Sequence, residues 1–225
     1  MKALSDEKII DSWNKNVSPW IEAIRKGEIA SRVQTTNRAI IEAIKGCQPK
    51  TVLDIGCGEG WLVRGLTILG IDALGIDVVP ELINSAINEG GGKYKVLSYE
   101  DISYETLNEK YDVVVSNFAL LGERSVVNVF REISSILSKG GYFIVQTIHP
   151  ISGCGEEEEY IDGWREGTWK GFNKMFTDPA PWYFRTIDSW KTLFETNGFS
   201  IEKIIEPVNE DTGVASSIVF VGRAE

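Results

Sequence analysis

The segment Val52-Leu53-Asp54-Ile55-Gly56-Cys57-Gly58-Glu59-Gly60 constrains this chain more than any other. It reads as a buried apolar strand that runs into a glycine-rich turn and then into a helix. Glycines at such a turn remove the Cβ atoms that would keep a ligand away from the backbone. The spacing discriminates as well: the dinucleotide fingerprint is Gly-x-Gly-x-x-Gly, and its third glycine falls on the position held by Trp61. A second apolar run, Ala73-Leu74-Gly75-Ile76, ends at Asp77. In an open α/β sheet, ligands lie outside the carboxyl ends of the strands, so an acid there is placed to accept both hydroxyls of a ribose. An acid about 20 residues after the glycine turn is common to nucleoside-binding folds, so the turn itself carries the discrimination.

Short apolar runs at 51–55, 73–76, 94–97, 111–116 and 142–147 alternate with helical stretches at 61–69, 80–88 and 125–137. That alternation is the signature of βαβ units on a parallel sheet. The helix at 125–137 is the clearest, because Val126, Val129, Phe130, Ile133, Ile136 and Leu137 fall on one face. Gly90-Gly91-Gly92 and Lys139-Gly140-Gly141 are expected to be the turns out of two helices. The first fifty residues read as helical, with Ser18-Pro19 as a helix start and Gly46 as a stop. From 151 to 185 the alternation breaks into an irregular stretch rich in tryptophan, glycine and acids, which suits a lid or binding loop. A helix at 187–196, a turn at Asn197-Gly198 and strands at 199–206 and 215–222 close the chain. The expected organisation is one domain over 1–225: a helical cap (1–50), a ligand-binding core (51–147), a substrate lid (148–185) and a final helix with strands (186–225).

Composition narrows the partners. At 225 residues, 43% apolar and 25% charged, the chain has the make-up of an ordinary globular domain. A formal net charge of -10 opposes association with nucleic acid or an acidic membrane, since such binding draws on Lys and Arg against phosphate. No apolar run approaches the roughly 20 residues that span a bilayer, and the charged start does not resemble a signal peptide. A cytoplasmic monomer or homodimer is therefore expected. Cys47, Cys57 and Cys154 form neither a disulfide framework nor a metal-ligand set, and the acidic run from Glu156 to Glu159 reads as a solvated loop.

Leu53-Asp54-Ile55-Gly56-Cys57-Gly58-Glu59-Gly60 resembles the first motif of the class I S-adenosylmethionine (SAM)-dependent methyltransferases. Tyr111-Asp112-Val113-Val114-Val115-Ser116-Asn117 resembles that family's fourth-strand motif, and Leu137-Ser138-Lys139-Gly140-Gly141-Tyr142 its turn before strand five. The resemblance is close over 51–147 and loose over the last two strands. Lys139 stands where the family often has proline. The resemblance implies a Rossmann-like doubly wound α/β sheet, mostly parallel with an antiparallel final strand, and SAM as cofactor. It implies that Gly56 and Gly58 face the amino-acid part of SAM, that Asp77 holds the ribose, that Val78 packs on adenine and that Glu100 or Asp101 reaches the adenine amine. Asp54, Cys57, Gly60 and Asn117 belong to the same motifs and are expected at the same site.

Three further expectations concern chemistry. Arg32 is a candidate partner for the carboxylate of SAM, because the glycine turn offers backbone donors but no cation. His149, the only histidine, follows the fifth strand and is a candidate general base for a small-molecule acceptor. Trp13, Trp20, Trp164, Trp169, Trp182, Tyr183 and Arg185 are candidate walls of a closed acceptor pocket, which suits a cationic methyl donor. Two rival readings are a SAM-fold binding protein without catalysis and a nicotinamide-dependent oxidoreductase; the missing third glycine stands against the latter.

Overall fold

A computed structural model describes residues 4–155 and 158–225. Five parallel strands form the centre: β1 (Thr51–Ile55), β2 (Asp72–Asp77), β3 (Lys93–Val96), β4 (Tyr111–Asn117) and β5 (Leu137–Ile148). They lie in the order β3-β2-β1-β4-β5, and the last two strands, β8 (Phe199–Ile205) and β9 (Ser217–Ala224), extend the sheet beyond β5. Strand β9 runs antiparallel to β5, with Val145 opposite Phe220, so the sheet is mostly parallel with an antiparallel insertion at this end. Strand order reverses between β1 and β4, whose register sets Val52 beside Val113 and Asp54 beside Val115. That reversal opens a crevice at the carboxyl ends of these two strands, where α/β proteins bind ligands.

The strands are apolar on both faces because helices cover both. Leu53, Ile55, Val114, Phe143 and Val145 point into one core with α7 (Arg124–Ile136) and α9 (Ile187–Thr196). Val52, Val113, Val115 and Ile144 point the other way, against α3 (Asn37–Gly46) and α4 (Trp61–Ile68). The two sets alternate along each strand as the pleat requires. Helix α7 buries Val126, Val129, Phe130, Ile133 and Ile136 completely, and each such side chain contributes about 1.5 to 3 kcal/mol by leaving water. Helix α5 (Pro80–Glu89) follows β2, with its proline in the first turn, where no backbone N–H is needed.

Before the sheet come α1 (Asp6–Lys15), α2 (Val17–Arg25), a π-helical turn at Arg32–Thr36 and then α3. The expected start at Ser18-Pro19 is corrected by two residues: α2 begins at Val17, and Pro19 occupies its first turn. The expected turn at Lys139-Gly140-Gly141 is also corrected. Leu137 leaves α7 directly in extended conformation, buries its side chain and pairs with Tyr111. The glycines then sit at an irregularity inside β5, with Gly140 at φ +69°.

The stretch after β5 is more ordered than its composition suggests. A short helix α8 (Pro150–Cys154) is followed by a hairpin of β6 (Gly163–Arg165) and β7 (Trp182–Phe184) that pairs Trp164 with Tyr183. Residues 166–181 loop out between those strands and dock on α1. Asn16, fully buried, donates to the Thr177 carbonyl at 2.7 Å and accepts from the Thr177 N–H at 2.9 Å. The Asp178 carboxylate accepts from Lys8 and Lys15. Of the acidic run, Glu156 and Glu157 lie outside the described residues, and Glu158 pairs with Arg165 at 3.3 Å. No helix among the described residues is long and apolar enough to cross a membrane.

Candidate active site

The glycine turn is fixed from below by the next strand: the N–H groups of Gly56 and Cys57 both donate to the Ile76 carbonyl, at 2.8 and 2.9 Å. Gly56 has φ +73°, and a Cβ there would stand 2.3 Å from the Ala119 Cβ and 2.7 Å from the Tyr99 hydroxyl, so glycine is required. Gly58 donates its N–H to one oxygen of Asp77 at 2.9 Å, while the other oxygen accepts from Val79 at 2.9 Å. Asp77 thus braces the turn, yet each of its oxygens keeps a lone pair for a further donor. Burial raises its pKa, opposed by the N–H groups of Val79, Gly58 and Val78.

A cavity of about 120 Å³ lies on this turn, bordered by Gly56, Gly58, Asp77, Val78, Glu100 and Asn117. The carboxyl ends of β1, β2 and β4 therefore converge as the strand reversal dictates. Of the two acids after β3, Glu100 borders the cavity, whereas Asp101 is exposed and accepts from the Ser98 hydroxyl at 2.7 Å. Cys57 and Gly60 do not border this cavity. Cys57 is buried behind the turn against Gly75, and Gly60 starts α4 against the Tyr94 ring. Burial pushes the Cys57 thiol well up, so it stays neutral.

Asp54 lies beneath the turn, 2% exposed, and its Oδ1 atom makes no hydrogen bond among the described residues. Burial, and then the neighbouring Asp77, push its pKa up to about 8, against the pull of Arg32. Arg32 is itself buried in the π-helical turn, with its guanidinium carbon 4.9 Å from the Trp61 ring centre and 5.6 Å from that of Trp20. Burial lowers its pKa to about 10, which leaves it charged near neutral pH. Its Nη2 atom has no partner among the described residues. A single π-turn inside helical structure is a known mark of functional sites.

A second, larger cavity of about 420 Å³ adjoins the first, and Trp13, Trp20 and Phe118 border both. Trp169, Phe172 and Trp182 join them in its aromatic wall, and Arg32 and Thr36 also line it. Trp13 meets Trp20 edge-on at 5.0 Å and Trp169 at 5.8 Å, so the cap and the loop 166–181 share one aromatic cluster. Such contacts contribute about 0.5 to 1.5 kcal/mol each beyond area burial.

Trp164, Tyr183 and Arg185 are placed elsewhere and border neither cavity. Arg185 donates to the carbonyls of Gly122 and Glu123 at 2.8 and 2.9 Å, with its guanidinium carbon 4.7 Å from the Tyr183 ring centre. Trp164 donates to the Glu123 carboxylate at 3.3 Å, and the Tyr183 N–H donates to the Leu121 carbonyl at 2.7 Å. These three hold the loop 121–123, which follows β4, and so act on the pocket from behind. His149 is likewise turned away. Its Nδ1 accepts from the Ile151 N–H at 3.2 Å, capping α8, and its Nε2 lies 2.8 Å from the Glu206 carboxylate. With Nδ1 accepting, Nε2 carries the proton and donates to Glu206.

Sequence reasoning missed several contributors. Tyr99 borders the first cavity, packs on Gly56 and donates its hydroxyl to the Ala119 carbonyl at 3.2 Å. Phe118 turns the chain at the end of β4 in a left-handed conformation, φ +57°, which is rare outside glycine. Glu59, 1% exposed, accepts from Arg64 at 2.6 and 2.8 Å and from Arg25 at 3.3 Å, fastening the turn to α2 and α4. Of these only Glu59 left a sequence signal, an acid inside the glycine turn itself.

Comparison with known proteins agrees with this plan. Residues 29–204 match the family described as methyltransferase domain. The chain is 27% identical over 182 residues to an uncharacterized methyltransferase of Schizosaccharomyces pombe, covering 78% of this chain and 68% of that one. It is 22% identical over 150 residues to a ubiquinone biosynthesis O-methyltransferase of Hydrogenovibrio crunogenus, covering 64% of this chain and 62% of that protein's length. A SAM-dependent methyltransferase of Mesorhizobium loti superposes with a TM-score of 0.62 at 22% identity, over 81% of this chain and 96% of that one. The chain belongs to the methyltransferase family and has the fold of the SAM-dependent enzymes, as the motifs imply.

Proposed function

We propose that the protein transfers the methyl group of SAM to a small-molecule acceptor, by in-line displacement within a closed aromatic pocket. The observation that carries this reading is the pair of adjoining cavities, one on the glycine turn with Asp77 at its edge, the other walled by tryptophans. The residues fit the donor: Asp77 keeps free lone pairs for a ribose, Asn117 Oδ1 and Arg32 Nη2 are buried without hydrogen-bond partners among the described residues, and Gly56 tolerates no side chain. SAM, when bound, supplies a sulfonium methyl that carries its own leaving group, so little covalent chemistry falls to the protein.

The chain's own task is positioning. Asp77 would hold the ribose, Val78 and Glu100 the adenine, and Arg32 the carboxylate, for which a planar guanidinium is suited. Trp13, Trp20 and Phe118, shared by both cavities, would keep water from the place where donor and acceptor meet. Positioning of this kind supplies roughly 7 to 11 kcal/mol toward a two-reactant step. A net charge of -10 favours a small acceptor over nucleic acid. The test is incubation with SAM and a panel of small molecules, a peptide mixture and RNA, with S-adenosylhomocysteine read by mass spectrometry. Product formed only with peptide or RNA would remove the small-molecule reading.

A further inference from the structure

The two helices that cover the cavities are held in different ways. Helix α2 is bolted to the core, because Arg25 reaches the fully buried Glu59 of the glycine turn at 3.3 Å and, on α5, Ser85 at 3.1 Å and Glu89 at 3.0 Å. Helix α1 is held by loops. Of its ten residues only Ile9 and Ser12 are buried. At its start Asp6 accepts from the Ser125 hydroxyl at 2.8 Å and from the Arg124 N–H at 3.2 Å. Along its side Ser12 donates to the Asp178 carbonyl at 2.6 Å, and Lys8 and Lys15 each pair with both Asp11 and Asp178. Asn16 parts the two helices, with φ -109° and ψ 16°, outside the helical region. Its side chain is fully engaged: Nδ2 donates to the carbonyls of Ser12 at 2.8 Å and Thr177 at 2.7 Å, and Oδ1 accepts from the Thr177 N–H. Helix α1 also faces both cavities. Ile9, Ile10 and Trp13 border the smaller one and Trp13 the larger, whose wall includes Trp169 and Phe172 of the loop 166–181.

We infer that α1 and the loop 166–181 form one lid, hinged at Asn16 and latched where Asn16 grips Thr177, so that the methyl donor enters and leaves the smaller cavity only when the loop walling the larger cavity has let go. This rests on the donor reading of the smaller cavity and adds how that site is gated. Helix α1 cannot swing away from the glycine turn without carrying Thr177 and Asp178 with it or breaking their bonds. Its Trp13 keeps its contact with Trp169 in that motion and loses the one with Trp20, which stays with α2. A few residues at an element boundary commonly absorb such a movement, and elements with few buried apolar side chains are the ones that open. The loop is also tied to the segment after α2 by an exposed bond from Asn173 to Glu28, which competes with water and holds weakly. The consequence is an order of events. An acceptor seated against Trp169 and Phe172 keeps the lid down and so retains the donor until transfer is complete, and lid opening then belongs to product release.

The test follows S-adenosylhomocysteine binding to the full chain by stopped-flow tryptophan fluorescence. Weakening a latch populates the open form of the free and the liganded protein alike. Asn16→Ala is therefore expected to raise the association and dissociation rate constants together, about tenfold each, with Kd within about twofold of wild type. Asp178 is left-handed, φ +47°, a conformation that Asn shares, so Asp178→Asn spares the loop. It should raise both rates about twofold to fivefold and remove the acceleration that added salt gives the wild type. Phe194→Leu, in the core among Phe130, Phe143 and Phe220, lowers stability and should leave both rates unchanged. Unchanged rates in Asn16→Ala, faster dissociation with unchanged association, or equal acceleration by Phe194→Leu overturns the gate. Hydrogen exchange of the ligand-free protein should show α1 and residues 166–181 opening at one common rate, raised by Asn16→Ala, while α2 keeps its protection; separate opening overturns the shared lid. Failure of S-adenosylhomocysteine to bind defeats the donor reading instead, and the exchange measurement still decides whether α1 and the loop move as one body.

Discussion

Asp54 gives the fold a pH dependence that can be worked from its surroundings. Its carboxyl is buried beneath the glycine turn with Oδ1 unpartnered and Asp77 nearby, and only Arg32 opposes the rise of its pKa to about 8. In an unfolded chain the same group titrates near about 3.9. Below that value it is protonated in both states and contributes no pH dependence. Between about 3.9 and 8 the folded protein keeps a proton that the unfolded chain releases, so stability falls as pH rises. Above about 8 both forms are ionised and the full cost is present, an upper bound of about 6 kcal/mol, with about 4 kcal/mol reached by pH 7. Asp54→Asn keeps the shape and removes the charge. Urea unfolding of both proteins from pH 5 to pH 9 should therefore show the variant gaining on the wild type with rising pH. The gain should approach about 1.4 kcal/mol per pH unit between 5 and 8 and level off above that. The difference between the two proteins cancels the titration of other groups. A constant difference across the range would refute a buried carboxyl at this position.

Gly56→Ala places a Cβ 2.3 Å from that of Ala119 and in a left-handed backbone, so binding of SAM by calorimetry should fall below detection while the far-ultraviolet dichroism stays that of the wild type. Asn16→Ala removes the paired bonds to Thr177; a loss of about 1 to 3 kcal/mol is expected, with faster hydrogen exchange confined to the cap and residues 166–181. His149→Ala is expected to lower thermal stability and leave the pH profile of turnover in place; abolition of a rise in rate near neutral pH, with SAM binding intact, would instead restore His149 as a base.

The sheet was legible because its strands are buried on both faces and its crossover helices repeat at helical spacing. The run Tyr111–Asn117 admits no other reading, and α7 presents one apolar face. The donor side of the site was legible for a related reason, since glycine spacing and a strand-end acid are local patterns. What the sequence did not carry were long-range choices. Arg185 and Trp164 look like pocket residues beside so many aromatics, yet their side chains are drawn to the loop 121–123 by carbonyls and a carboxylate more than forty residues upstream. His149 is claimed by Glu206, 57 positions later, and no local pattern records that. The left-handed Phe118 runs against the preference of a bulky aromatic residue, so its own identity does not announce it.

Calorimetric titration of SAM into wild type, Asp77→Ala and Asp77→Asn tests Asp77 as the ribose anchor. Two charge-assisted bonds of roughly 1.5 to 3 kcal/mol each predict at least about a hundredfold loss in Asp77→Ala. Asp77→Asn, which retains acceptor capacity but not charge, should fall between. Wild-type affinity for SAM in Asp77→Ala, in protein whose urea midpoint shows it folded, would contradict the assignment of the first cavity to the methyl donor.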